Sequence, residues 1–288
     1  MKQTAKSLIS FLLLLTASLH QARAIQDGSG FNTTEPTNTD VANWTTGWGA
    51  SGVTGWAYIG SGNDASCVYL GNNWVLTAGH VGAGTFTLQG TAYAAVPGSA
   101  RSLSNQYGTA DLTLFQIVSG PSLPALMLAT SAPVSFSRWQ SGSQVVMLGY
   151  GGGQGETWGL NTVTSNNILV SINGYSYESV DFETAGGTTT SGTSSVTNDA
   201  LLVLHDSGGG DFIYDAAKGK WLLAGINEAV NGSDSYMVQL SAYATQINSI
   251  VNAVPEPQTW VFLGLGVAVF LIQRSTRLGN IFRSLHIK

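Results

Sequence analysis

Three short segments of this chain carry side chains that do little alone but can do chemistry together. Trp74-Val75-Leu76-Thr77-Ala78-Gly79-His80 ends an apolar run in small residues and a histidine. Thr109-Ala110-Asp111-Leu112-Thr113-Leu114 opens another apolar run with an aspartate. His205-Asp206-Ser207-Gly208-Gly209-Gly210 sets a serine in a glycine-rich loop. Of the 4 histidines, His80 and His205 alone lie between residues 25 and 253. They fall in the first and third segments. A serine hydroxyl becomes a nucleophile when an imidazole takes its proton and a carboxylate fixes the imidazole tautomer. Glycines after the serine let backbone N–H groups converge on a developing oxyanion. Each segment alone is ordinary, since a histidine after a strand or an aspartate opening one is commonly structural. In the order His80, Asp111, Ser207 they point to acyl transfer.

The elements that must hold these residues are short strands. The 36 glycines, with many Ser and Thr, argue against a helical bundle. Strand-like runs are expected at Cys67–Leu70, Trp74–Thr77, Thr85–Gln89, Leu112–Ile117, Gln144–Leu148, Asn167–Ile172, Tyr177–Phe182, Asp211–Tyr214, Trp221–Ile226 and Tyr236–Leu240. Turn signals such as Gly71-Asn72-Asn73 and Asn173-Gly174 separate them. Residues 25–64 read as a loop-rich lead-in, and Gly187–Thr197 as a Gly/Ser/Thr loop. Ser241–Val251 alone has helical spacing, with Ala242, Ala244, Ile247 and Ile250 on one face. The expectation is an all-β barrel architecture with one terminal helix.

The three segments resemble the chymotrypsin/trypsin-like serine proteases. Thr77-Ala78-Gly79-His80 is similar to their Thr-Ala-Ala-His signature, and Asp111-Leu112-Thr113-Leu114 to their Asp-Ile-Ala-Leu strand. Asp206-Ser207-Gly208-Gly209 matches the nucleophile loop, and Tyr236–Val251 resembles the closing strand and helix. The resemblance implies two perpendicular Greek-key β-barrels with the site between them. His80 is then general base and acid, Asp111 its orienter and Ser207 the nucleophile. It further implies an oxyanion hole from the N–H groups of His205 and Ser207. Here the sequence departs from the family, because His205 stands where a glycine is usual. A side chain there threatens to turn the peptide away, and losing one such donor costs about 10²–10³ in rate. Val81 stands where a cysteine usually follows the histidine.

By the same resemblance, Leu201, six residues before the serine, floors the specificity pocket, and Asp234 is a second candidate for its base. An apolar floor favours an apolar residue before the cut, whereas a buried Asp234 favours Lys or Arg. The family also pairs a newly cut aliphatic N-terminus with the aspartate before the nucleophile. Here that implies Ile25 and Asp206, with Arg138 as an alternative cation. No cofactor or metal is implied, and the substrate is a peptide or protein.

Charge and the chain ends narrow the class. Charged residues make up 9% against 43% hydrophobic, where about 25% charged is ordinary. Between residues 25 and 253 four basic residues (Arg101, Arg138, Lys218, Lys220) face fifteen acidic ones, a net −11. Such a surface repels phosphate backbones, which excludes nucleic acid as a main partner. Residues 1–24 have a basic start, an apolar run from Leu8 to Leu15 and the small-x-small end Ala22-Arg23-Ala24, a secretory signal for cleavage by signal peptidase. Val254-Pro255-Glu256-Pro257, an apolar run from Thr259 to Ile272 and Arg274 to Arg277 resemble the PEP-CTERM sorting signal of Gram-negative bacteria, which an exosortase-type membrane enzyme processes. That run is short for a span, because a transmembrane helix needs roughly 17–25 residues. The expected order is signal peptide 1–24, lead-in 25–54, protease domain 55–252, sorting signal with transmembrane helix 253–277 and basic tail 278–288. The protein is expected at the membrane, then at the cell surface or outside. Its single cysteine, Cys67, allows no internal disulfide and no Cys/His zinc site, and reads as a buried thiol. Two functions follow: an exported serine endopeptidase, or a fold-retaining, inactive surface or matrix binding protein favoured by His205 and a Trp-rich surface.

Overall fold

Asn72 and Asn73 take positive φ of 51° and 63°, the conformation of a two-residue hairpin turn. They join strands β2 (Ala65–Gly71) and β3 (Trp74–Thr77), which pair Val68 with Leu76 and Tyr69 with Val75. Both strands are buried along their whole length. The computed structural model describes residues 25–26, 30–137, 140–151, 154–172, 174–191, 194–198 and 200–253. The signal and sorting segments expected at 1–24 and 254–288, and Arg138, lie outside the described residues. The chain divides into two compact units, residues 1–247 and 248–288. Of the second, residues 248–253 are described, the first four of them the end of the helix.

The first unit holds the strands. β1 (Ile59–Gly62), β2, β3, β4 (Phe86–Leu88), β5 (Thr91–Tyr93), β6 (Arg101–Ser104) and β7 (Thr109–Gln116) form a seven-stranded sheet in the order β5-β4-β1-β2-β3-β7-β6. β8 (Gln144–Gly149), β9 (Thr157–Ser171), β10 (Glu178–Ala185), β13 (Gly210–Asp215), β14 (Lys220–Asn231) and β15 (Asp234–Gln239) close a six-stranded barrel. α1 covers Ala244–Val251. The fold is the all-β, trypsin-like arrangement that the sequence leads one to expect: its C-terminal barrel is six-stranded and closed, and the N-terminal half pairs seven strands.

Local differences have physical causes. The Gly187–Thr197 loop is instead a hairpin of β11 (Gly187–Ser191) and β12 (Ser194–Asn198). β5 and β6 are short and mostly exposed, so no apolar alternation announces them. β9 begins ten residues before the expected Asn167. Its first half holds Gly159 and Asn161, and buried Asn161 is satisfied by donating to the Ala200 oxygen at 2.7 Å. β1 lies inside the expected lead-in, and that lead-in supplies core. Ile25 is fully buried with Val145, Met147, Val163, Phe182 and Leu202 in the barrel. Trp44, also fully buried, meets Trp48, Phe212 and Trp221 at 5.1–6.2 Å between ring centroids. Cys67 is buried, and burial pushes its thiol up to about 12.

Candidate active site

Pairing between β3 and β7 sets Thr77 opposite Thr113 and Leu76 opposite Leu114. Just past the end of β3, His80 therefore comes beside Asp111. Asp111 is fully buried and accepts twice from the same residue. Its Oδ2 lies 2.6 Å from His80 Nδ1, and its Oδ1 accepts the His80 backbone N–H at 2.7 Å. Gly79 permits this approach, since a Cβ there would lie 2.9 Å from Asp111 Oδ1. Burial works to lower the His80 pKa, but the Asp111 bond and the Asp111 and Glu228 charges outweigh it, and the pKa stands above the ordinary value. The imidazole side chain is 19% exposed, open to a reactant.

Ser207 reaches the same place from the loop before β13. That loop is seated on the other sheet: Ser66 N–H donates to Ser207 O at 2.9 Å. Gly208 follows at φ +86°, where a Cβ would sit 2.0 Å from the Ser66 oxygen, so only glycine fits. Ser66 Oγ accepts the Tyr150 N–H at 2.7 Å. His80, Ser207, His205 and Glu228 line one cleft of about 460 Å³. Ser207 Oγ donates to the Glu228 backbone oxygen at 3.4 Å and, among the described residues, makes no hydrogen bond to His80. Catalytic bonds of this kind tighten when substrate binds.

His205 adopts φ +79°, the left-handed region that glycine occupies freely. The substitution for glycine has changed the side chain and kept a glycine-like backbone. Its ring faces outward, with Nδ1 3.0 Å from the Asp64 oxygen. Among the described residues, neither the His205 N–H nor the Ser207 N–H has a hydrogen-bond partner.

Asp206 is buried and accepts N–H bonds from Val203 at 2.8 Å and Gly151 at 3.3 Å. Burial pushes its carboxyl up to about 8, against the lowering pull of N–H bonds from Val203, Gly151 and Ile25. The Ile25 and Asp206 positions paired in the sequence reading are thus in contact. Leu201 and Asp234 are not among the residues lining the cleft. Leu201 bonds to Gln26 in a β-bridge, and Asp234 begins β15 opposite Asn231 and Ala185. The irregular stretch Leu202, Val203 and Leu204, with Ala229 and Val230 of β14, lines the cleft instead. Among the described residues, Trp44, Trp74, Trp158 and Trp221 are buried, and Trp48 and Trp56 are half-buried, so these six form no exposed tryptophan surface.

Sequence reading missed several residues here. Tyr175 lies 5.5 Å from the His80 ring and stacks on Tyr177. Glu228, Ser179 and Asp181 sit behind Asp111. Glu228 had a signal, a carboxylate inside an apolar strand.

The fold and site define the trypsin-like, two-lobed β class. No family profile matches the chain, and no curated protein does. Solved structures similar to it include the inactive form of the Rv3671c protease, known from M. tuberculosis (16% identity, TM-score 0.48, 68% of this chain and 90% of that one). Others are the HtrA-type protease AlgW with a decapeptide (19%, 0.45, 66% and 52%) and the NS6 protease of murine norovirus 1 (14%, 0.41, 64% and 90%). These are likenesses in the course of the chain and carry nothing about activity.

Proposed function

We propose that this protein is an exported serine endopeptidase acting through an acyl-enzyme. One observation carries the reading: Ser207 and His80 line a single cleft, and His80 Nδ1 is held at 2.6 Å by a fully buried Asp111. His80 takes the Ser207 proton as Oγ attacks the scissile carbonyl, and later returns it to the leaving amine. Asp111 fixes the tautomer that leaves Nε2 free and stabilises the cation. The free N–H groups of His205 and Ser207 receive the oxyanion. The glycine-like φ of His205 favours this reading over the inactive binding protein, whose other support, exposed tryptophan, is absent among the described residues.

Substrate preference follows the cleft walls. Leu202, Leu204, Ile172 and Val230 favour an apolar residue before the cut, and the Lys/Arg alternative loses its basis with Asp234 outside the cleft. Signal peptidase cleavage after Ala24 would turn the Ile25 nitrogen, already bonded to Asp206, into an ammonium. A buried carboxylate with a matched cation is retained where an unmatched one is not, so export itself would complete the site. The membrane-associated stage and an exosortase-type cut near Pro255–Pro257 belong to the same proposal. Mass spectrometry of mature protein retaining residues 260–288 would refute that cut.

The test of the activity is fluorophosphonate labelling of the exported protein. Wild type should label and Ser207→Ala should not. No labelling of either would overturn the peptidase reading.

A further inference from the structure

Behind Asp111 lies a group of acids that the triad leaves unused. Glu228 on β14 is 3% exposed. Its Oε1 accepts the Ser179 hydroxyl at 2.7 Å, and Ser179 Oγ in turn accepts the Asp111 N–H at 2.9 Å. β14, β10 and β7 are tied together at this point. The Glu228 carboxyl also meets that of Asp181 on β10. Neither Asp181 oxygen, nor Glu228 Oε2, has any donor among the described residues. Two facing carboxylates offer only acceptors, and they satisfy each other when one proton lies between them. Glu228 then receives two donors, Ser179 and the Asp181 acid, whereas Asp181 receives none. Hydrogen bonds to the charged form favour it, so the charge rests on Glu228.

The titratable groups around Glu228 are Asp181 on β10, Asp111 on β7, His80 beyond β3 and Tyr243 ahead of α1. Asp211 of β13 lies beyond Asp181. His80 is the one base in this set.

We propose that Glu228 is a positioning residue for His80: an anion, anchored by Ser179 and by the Asp181 acid proton, that joins Asp111 in stabilising the imidazolium. The inference rests on the peptidase reading for its kinetic consequence alone. Its electrostatic consequence holds for the folded chain whatever the chain does.

Two readouts separate these. In the full chain, Glu228→Gln keeps the acceptor for Ser179 but removes the charge. The His80 imidazole titration, followed by NMR, should fall by about one unit. One unit is a factor of ten in the stability of the cation, so kcat for a peptide should fall about tenfold, with KM moved less than about twofold. Ser179→Ala, a smaller change that serves if Glu228→Gln does not fold, should lower the midpoint in the same direction. Asp181→Asn retains a donor toward Glu228 and should keep the midpoint near wild type. A midpoint as low as that of Glu228→Gln would overturn the anchoring role of Asp181. An unmoved midpoint in both Glu228→Gln and Ser179→Ala would overturn the proposal, even in an active peptidase. A lowered midpoint in a chain that never labels would overturn the peptidase reading and leave this one standing.

Discussion

At His205 the chain keeps a side chain at φ +79°, where a residue other than glycine costs about 1–3 kcal/mol. His205→Gly should raise stability by about 1 kcal/mol, less the value of the exposed Asp64 contact. His205→Val, β-branched at the same φ, should lower it. Urea midpoints of the two variants check the sign, and a destabilised glycine variant would show that His205 is unstrained. The Asp111 carboxylate carries the other residue-scale prediction. Asp111→Asn presents an amide to Nδ1, favours the wrong tautomer and should cost about 10⁴ in kcat. Peptide hydrolysis within tenfold of wild type would remove Asp111 from the machinery.

Among the elements, the segment ahead of β1 decides most. A loop-rich tether would tolerate almost any change, but Trp44 is fully buried against Trp48, Phe212 and Trp221. Trp44→Ala should cost about 3–5 kcal/mol, read as a fall in melting temperature. A change under about 0.5 kcal/mol, the surface norm, would return this segment to tether status. The same segment delivers Ile25 to Asp206. One extra residue before Ile25 in the mature chain would move the ammonium off the carboxylate. Peptidase activity should then drop, and undiminished activity would sink activation by export.

For the whole molecule, acid is stored inside. Burial raises Asp181 and Asp211 well above the usual carboxylate range, with Glu156 at about 10 and Asp206 at about 8. Such groups ionise near pH 4 when unfolded. Their contribution to stability is fully present below about pH 4 and is lost as pH rises through the folded values. His80, also raised, acts in the same direction, its part being lost as pH rises through its folded value. The urea midpoint should therefore fall between about pH 5 and 9. Cleavage before Ile25 should flatten the part due to Asp206, since an ammonium partner lowers its pKa. A midpoint that climbs over this range would contradict the assignment.

The sequence alone singled out His80, Asp111 and Ser207 as candidate reacting residues, because a nucleophile loop and a strand-end histidine are local patterns that need glycines and small residues at fixed offsets. It also determined the all-β class, through turn signals such as Asn72-Asn73 that act within a few residues. It did not yield the cleft walls, since Leu202, Val203 and Leu204 lie in an irregular stretch without periodicity, and the bridge of Leu201 to Gln26 joins residues far apart in sequence. It took the 187–197 stretch for a loop because a hairpin of Thr and Ser has no apolar face to announce it. Tertiary structure decided what local patterns cannot encode. The left-handed backbone at His205, the contact of Ile25 with Asp206 and the meeting of Glu228 with Asp181 join residues distant in sequence or depend on how surrounding strands constrain a loop. Their energies come from burial and from charge at close range, and both exist only once the two lobes have packed.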